Sequence, residues 1–438
     1  VQLAVELATR FRGEIINADA MQLYDGLPII TNKIAIPERR GVAHHLLGDI
    51  SLHEMPWTVE DFKAHALKTI QEIRQRGNLP ILVGGTQYYV DPLLFQEVTL
   101  DKVEDIDSIR TFPILEEPTE VILAELRRVD PVMASRWHPK DRRKIHRSLE
   151  IYLRTGKPAS QFYTEQQERK AASAQDAAQQ TPWENLLFWV YSEREVLMAR
   201  LDGRVDKMLQ NGLLDEVRKL FAFKRECEAA GEIVDMSRGI WQSIGYRQFE
   251  PYLTALGEGQ PEADVERLKA AAIEDMKVAT RRYANYQNRW TRLKQLPRLA
   301  ESGPEALDSL YLMDSSDVAR FADAVVEPAA ALTAQFLAGE PRAHPTALSP
   351  LAADVLSKVR EPPPAQTPCE RTCELCGTSV TTEEMWAKHV NGSSHRRAMK
   401  KKKKLALVPA VDSREQIKAR KSSDGERSDP DLSAMFLM

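Results

Sequence analysis

Two short stretches decide the fold: Glu14-Ile15-Ile16-Asn17-Ala18-Asp19, and Leu79-Pro80-Ile81-Leu82-Val83 running into Gly84-Gly85-Thr86. Each is an apolar run too short for a buried helix, and each ends in polar or glycine residues. Between them, Val59 to Gln75 carries apolar residues at helical spacing and stops at Gly77-Asn78. Strand, helix, strand in this order predicts a parallel α/β sheet. Ligands of such sheets bind beyond the carboxyl ends of the strands. Asp19 and the Gly84-Gly85-Thr86 turn sit at two such ends.

Working outward, Val1 to Arg12 reads as an amphipathic helix, with neither the apolar core nor the cleavage site of a signal peptide. From about Val103 to Phe162 the pattern is helical and rich in Arg, Lys and His, and Glu165 to Thr181 reads as an exposed insertion. Leu186 to Tyr191 returns to strand character. Long amphipathic helices are expected over Glu193 to Phe223 and Val265 to Leu296, with Leu310-Tyr311-Leu312 as a last strand. Pro clusters such as Pro362-Pro363-Pro364 mark a linker. The expected domains are an α/β core over 1–105, a helical insertion over 106–182, and completion of the core over 183–338. A Pro-rich linker (339–368), a Cys/His module (369–400) and a basic, then mixed-charge, tail (401–438) follow.

In 438 residues there are only four Cys, which excludes a disulfide scaffold. No apolar run approaches the roughly 20 residues that span a bilayer, so no membrane association is expected. The net charge of −4 hides an uneven distribution: Trp386 to Lys421 holds twelve Lys and Arg against two acids. Within it, Lys400 to Lys404 is expected to be disordered, and to attract polyanions or act as a nuclear-import signal.

The strongest chemical signal is Cys373-x2-Cys376-x12-His389-x5-His395. Two thiolates on a tight knuckle and two imidazoles from a helix make a closed tetrahedral Zn²⁺ site, structural because no position is left open. Cys369 competes as a ligand at a less usual spacing. The helix around Trp386 and His389 is expected to reach His395 through a distorted last turn. A finger followed by a basic tail favours nucleic acid. In the core, Asp19 reads as a general base, a metal ligand or a helix cap. The glycine turn brings backbone N–H groups near a phosphate. Arg142-Arg143-Lys144 reads as a phosphate-backbone contact or a solvated face. Arg204, among Asp202, Asp206 and Asp215, reads as salt-bridged.

Together these segments resemble the tRNA dimethylallyltransferase (isopentenyltransferase) family, in its eukaryotic branch with a C-terminal finger. The stretches that carry the resemblance are Glu14 to Tyr24, Pro28-Ile-Ile-Thr-Asn-Lys33, Gly41 to Leu46, and Val83-Gly-Gly-Thr-Gln-Tyr-Tyr89. After them come His138 to Arg143, Leu149 to Pro158, Arg200-Leu-Asp-Gly-Arg-Val-Asp206 and Gly239 to Tyr246, in family order over roughly 1 to 340. The finger resembles the U1/matrin type. The resemblance implies a P-loop-type α/β core, with a helical insertion gripping the tRNA anticodon stem-loop. It also implies transfer of a dimethylallyl group from dimethylallyl diphosphate to N6 of adenosine 37. By resemblance, Asp19 is the base and Arg204 contacts the diphosphate, with Gly84, Gly85 and Thr86 near the same channel and Mg²⁺ on the diphosphate. Gln22 helps read the target base. Thr31, Asn32, Lys33, Arg142 and Arg143 contact tRNA. A monomer is expected, cytoplasmic with mitochondrial and nuclear pools.

Two departures from the family stand out. The family opens with a strand and a Gly-rich loop ending in Gly-Lys-Ser/Thr, whereas this sequence starts at the helix beyond it. Three lost charge-assisted hydrogen bonds amount to roughly 4–9 kcal/mol, or about three to six decades in rate, so the chain as it stands is expected to be inactive and short of a central strand. The second departure is Tyr283-Ala-Asn-Tyr-Gln287, where the family usually has Lys-Arg in place of Asn285-Tyr286. Arg281, Arg282 and Arg289 are expected to compensate. The rival readings are a P-loop small-molecule kinase, which gives the finger and insertion no task, and a non-catalytic RNA-binding protein that kept the fold.

Overall fold

The computed structural model describes residues 1–95, 112–165, 183–232, 234–236, 238–360, 367–376 and 378–406. These fall into two compact units, one of residues 1–95 with 183–360 and one of 112–165 with 367–406.

In the first unit, strands β1 (Gly13–Asn17), β2 (His44–His45) and β3 (Leu79–Val83) form a parallel sheet in the order β2-β1-β3. Ile15 and Ile16 are buried, as expected of a parallel strand covered on both faces. The crossover helix Val59–Gln75 runs between the predicted limits. Its start is fixed by a reciprocal cap: Asp61 N donates to Thr58 Oγ1 at 3.2 Å, and Thr58 N donates to Asp61 Oδ2 at 2.9 Å. Gly77, at φ 72°, ends it in the left-handed region. Phe62, Ala66, Ile70 and Ile73 recur at helical spacing and fill the main core.

Strands β4 (Leu187–Tyr191) and β5 (Leu310–Asp314) form a second parallel pair. The first helix, Gln2–Phe11, serves both sheets. Leu3 and Leu7 pack with Tyr311 and Met313 of β5, while Ala4, Val5 and Ala8 pack with Ile15 of β1.

The long helix read over Glu193 to Phe223 is two helices, Arg194–Gln210 and Leu213–Ala229. Gly212 between them holds φ at 100°, which breaks the ladder. Glu262–Trp290 widens into a π-helical turn over Thr291–Gln295 and passes into helix Leu296–Glu301, so the helical path covers the expected limits. The expected linker is largely structured. Helix Pro350–Arg360 buries Ala352 and Leu356 against Leu310 and Leu312 of β5. Burying one such leucine contributes about 1.5–3 kcal/mol, enough to outweigh the local proline signal. Pro362 to Pro364 lie outside the described residues.

In the second unit, Thr119–Val129, Pro131–Arg136 and Arg142–Thr155 enclose a core of Ile122, Leu126, Met133, Ile145 and Leu149. This is the expected helical insertion; its stretches 106–111 and 166–182 lie outside the described residues. In the Cys/His module, β6 (Pro368–Thr372) and β7 (Ser379–Thr382) form an antiparallel hairpin. The helix Glu383–Val390 stops before His395, which stands on a separate helix, Ser393–Ala406. The five-residue spacer is therefore met by a break at Asn391-Gly392, not by a distorted last turn. Lys400 to Lys404, expected to be disordered, fall on that second helix, whose C-terminal dipole favours cations.

Among the described residues no helix is long and apolar enough to cross a membrane.

Candidate active site

β1 and β3 end side by side, and backbone bonds lace the ends together. Ala18 N donates to Val83 O at 2.8 Å and Thr86 N to Ala18 O at 3.2 Å. A Cβ on Gly84 would lie 2.1 Å from the Ala18 carbonyl oxygen, so only glycine fits there. Thr86 Oγ1 then accepts the amide of Ala20 at 3.0 Å. Asp19 sits between these ties. Its Oδ1 accepts Met21 N at 3.0 Å, capping the turn Ala20–Leu23, and its own amide donates to Asn17 Oδ1 at 3.1 Å. The cap reading is thus realised, and it holds the carboxylate in one orientation. Asp19 is half-buried, and burial raises its pKa. Backbone N–H groups of Met21 and Gln22, then the charges of Lys33 and Arg204, oppose that rise.

The expected salt bridging of Arg204 does not occur. Residues two apart on a helix do not face each other. Asp202 and Asp206 are bound instead to Arg281 and Lys277, the latter at 2.8 Å, and Asp215 to Arg218 at 2.9 Å. Arg204 has no hydrogen-bond or ion-pair partner among the described residues, and Asp19 is the carboxylate whose charge reaches it.

Gly85 is gripped from a distant helix. Tyr283 Oη donates to its carbonyl at 3.1 Å and Gln287 Nε2 at 3.2 Å. Burial, and then the negative charge of Asp19, raise the Tyr283 pKa well above its usual value. The stretch Tyr283 to Gln287 drew notice in the sequence for Asn285 and Tyr286, while Tyr283 and Gln287 themselves were not singled out as site residues. Asn285, one of the two departures, is exposed; Tyr286 stacks at 6.5 Å on Tyr283.

Of the residues expected at the RNA, Thr31, Asn32 and Lys33 share one tight loop, tied to Gln22 on the turn Ala20–Leu23. Gln22 Nε2 donates to Asn32 O at 3.4 Å. Thr31 is turned inward, 5% exposed, with its hydroxyl donating to Leu27 O at 2.8 Å, so it shapes the turn and presents no surface. Asn32 holds φ at 55°. Lys33 Nζ donates to Gly26 O at 2.6 Å, and burial lowers its pKa to about 8 despite Glu216, Asp25 and Asp19 nearby. Glu216, another residue the sequence did not single out, binds the amides of Ile29 and Ile30.

In the insertion, Arg142 spends its guanidinium on protein carbonyls, Leu115 O at 2.8 Å and Glu117 O at 2.5 Å. It staples one segment of the insertion to another. Arg143, beside it, is half-exposed.

Cys373, Cys376, His389 and His395 bring four ligand atoms within 4.8 Å of one another. His395 Nδ1 stands 3.5 Å from both Sγ atoms and 3.2 Å from His389 Nε2, so a metal would take opposite ring nitrogens from the two histidines. Two thiolates and two imidazoles in this arrangement fit a closed tetrahedral metal site. Cys369, on β6, is not in the cluster.

Residues 22–294 match the model of the IPP transferase family. The chain belongs to that family. It is 35% identical to the tRNA dimethylallyltransferase of Schizosaccharomyces pombe, over 92% of this chain and 93% of the relative. With the tRNA dimethylallyltransferase of Homo sapiens it shares 34% identity, over 92% of this chain and 84% of the relative. Among solved structures, a eukaryotic dimethylallyltransferase captured acting on tRNA is similar at a TM-score of 0.72 and 30% identity, covering 92% of this chain and 94% of that one.

The chain is accordingly an enzyme, a transferase. The matched residues include Gln22, the loop to Lys33, the Gly84-Gly85-Thr86 turn, Arg142, Arg143 and Arg204. The Cys/His cluster lies beyond them.

Proposed function

We infer that the chain moves a dimethylallyl group from dimethylallyl diphosphate to the N6 amine of adenosine 37 in a tRNA anticodon loop. The observation that carries the site assignment is Arg204. Its acidic neighbours are committed elsewhere, and its guanidinium is left within electrostatic reach of Asp19. An arginine fork with no protein partner among the described residues is suited to oxyanions. As the bond from C1 to the diphosphate oxygen breaks and the C–N bond forms, negative charge gathers on the diphosphate, where Arg204 stabilises it. The amine gives up a proton in the same passage, and Asp19 accepts it. A raised pKa brings Asp19 closer to the operating pH, which strengthens it as a base.

Mg²⁺ belongs with the diphosphate in this reading. Among the described residues Asp19 belongs to no cluster of metal-ligating groups, so the cation is held by diphosphate oxygens and water. Gln22 and the loop to Lys33 meet the target base, which leaves its stack to reach the channel. Arg143 meets the phosphate backbone of the anticodon stem, with Arg142 holding that part of the insertion in shape. The Cys/His cluster holds Zn²⁺, and the finger with its basic helix adds affinity for RNA. The protein acts as a monomer in the cytoplasm, with the lysine block as an import signal for a nuclear pool and a further pool in mitochondria.

Single-turnover transfer in the full-length protein tests the assignment. Asp19→Ala is expected to slow transfer by about 10²–10⁴ at saturating tRNA, with tRNA affinity little changed. An unchanged rate would return Asp19 to being only a cap.

A further inference from the structure

Helix Arg194–Gln210 buries Leu201, Val205 and Met208. At 3.6 residues per turn, Asp202 and Asp206 lie on one flank of that stripe, and Arg204 lies about 200° round from Asp202, on the other. The acidic flank is held from a single neighbour. Lys277 Nζ bonds Asp206 Oδ1 at 2.8 Å and Arg281 bonds Asp202 Oδ1, both from Glu262–Trp290. That same helix grips the Gly85 carbonyl through Tyr283 and Gln287. One helix thus holds the glycine turn through Tyr283 and Gln287 and, through Arg281 and Lys277 on its other face, the element that carries Arg204.

We propose that Arg281, seconded by Lys277, is a positioning residue for the transfer: its ion pair with Asp202 sets the roll of Arg194–Gln210, so that Arg204 on the far flank faces Asp19 and the diphosphate. The inference rests on the reading of Arg204 as the diphosphate contact. The pairs are partly exposed, with Asp202 and Asp206 side chains 36% and 50% accessible. Pairs of this kind contribute little to stability. Their effect on geometry is larger. A helix with side chains is roughly 5–6 Å in radius, so a roll of about 10° carries a side-chain tip about 1 Å. A displacement of that size costs on the order of 100-fold in rate. Arg200, on the Arg204 flank, stays anchored to Ser315 O at 2.9 Å, so loss of the acidic pairs lets the helix turn without leaving.

The test compares Arg204→Ala, Arg281→Ala, their double variant and the charge-exchanged pair Asp202→Arg with Arg281→Asp in the full-length protein. Single-turnover transfer from dimethylallyl diphosphate to an anticodon stem-loop is followed beside thermal melting. Arg281→Ala is expected to slow transfer about 10- to 100-fold with melting nearly unchanged, and the exchanged pair to recover most of the loss. The double variant is expected to be no slower than Arg204→Ala, because Arg281 acts through Arg204. Multiplying effects, or no recovery in the exchanged pair, would overturn the inference. Arg204→Ala slow beside Arg281→Ala at the wild-type rate would overturn the inference alone. Arg204→Ala at the wild-type rate would overturn the reading of Arg204 and the inference with it.

Discussion

Glu216 accepts the amide of Ile30 at 2.8 Å and that of Ile29 at 3.0 Å, joining a carboxylate at the start of helix Leu213–Ala229 to the loop that carries Lys33. Glu216 is buried. Two N–H donors without it would be left inside the protein, at about 1–3 kcal/mol each. Glu216→Ala is expected to lower stability by about 2–6 kcal/mol and to weaken tRNA use more than use of dimethylallyl diphosphate. Denaturant unfolding, with KM measured for each substrate, checks it.

Asp19 carries a prediction of opposite sign for rate and stability. Burial raises its folded pKa above the unfolded value. Its stabilising contribution is therefore complete below the unfolded pKa, near 3.9, and is lost as pH rises through the folded value. At neutral pH the ionised carboxylate is a burden. Asp19→Asn is expected to melt higher than the wild type at pH 7 while transferring at least 100-fold more slowly, about the least a positioned base contributes. The acid limb of the wild-type pH–rate profile should fall above the ordinary aspartate value. A lower melting temperature for Asp19→Asn would contradict this.

The strands were legible because a parallel strand is a continuous apolar run, which Leu79–Val83 keeps although it is only half-buried along its length. Helix Val59–Gln75 was legible from its apolar spacing and from its stop at Gly77-Asn78, while its cap by Thr58 and Asp61 came only with the structure. What stayed hidden depends on contacts between distant residues. Nothing near Glu216 points to Ile29, and nothing near Gly85 points to Gln287. Pro350–Arg360 was hidden for another reason: Ala352 and Leu356 are four apart, as a helix needs, but prolines on either side suggested a linker. The reading of Arg204 as salt-bridged failed on spacing that was visible from the start, since residues two apart point away from each other.

The two glycines of the turn should behave differently. Alanine at Gly84 would place its Cβ 2.1 Å from the Ala18 oxygen and 2.3 Å from the Ala18 carbonyl carbon, both backbone. Alanine at Gly85 would meet Gln287 Nε2 at 2.0 Å, the end of a flexible side chain. Gly84→Ala is expected to cost about 3 kcal/mol, the upper end for overpacking, or more. Gly85→Ala should fold and melt near the wild type, but transfer more slowly because Gln287 is displaced from the carbonyl it holds. Equal melting losses in the two variants would refute the distinction.

Glu14 gives the acid side of stability. It accepts two bonds from Arg76 at 3.0 and 2.8 Å and one from Asn78 at 2.7 Å, with His45 Nε2 at 2.6 Å. Arg76 foremost, against the cost of burial and with help from Asn78 and His45, holds its pKa down to about 2. A depressed carboxylate stabilises above its unfolded pKa and loses that contribution as pH falls through the folded value. Glu14→Gln is expected to cost about 1.5–3 kcal/mol at neutral pH. Its deficit relative to the wild type should shrink as pH drops from about 4.5 toward 2. Melting curves of both proteins across that range decide it, and a deficit constant with pH would remove Glu14 from the account.

The finger is expected to depend on zinc and to serve binding without entering the chemistry. Its four ligand atoms converge within 4.8 Å and leave a tetrahedral ion no open position. His395 stands in the first turn of the helix Ser393–Ala406, which continues through Arg396 and Arg397 to the lysine block, so the metal also fixes where that positive charge starts. Small zinc modules fold only with their metal. Replacing Cys373 and Cys376 with Ser should abolish bound zinc at one equivalent and unfold this module, while Cys369→Ser keeps the full equivalent. Transfer at saturating tRNA should persist in the double variant. Affinity for tRNA should fall, and log affinity against log salt should flatten by roughly one unit for each RNA phosphate that the finger no longer neutralises. Elemental analysis, single-turnover rates and binding at two salt concentrations make the comparison. Loss of turnover at saturating tRNA, with the α/β unit still folded, would place the finger in the chemistry.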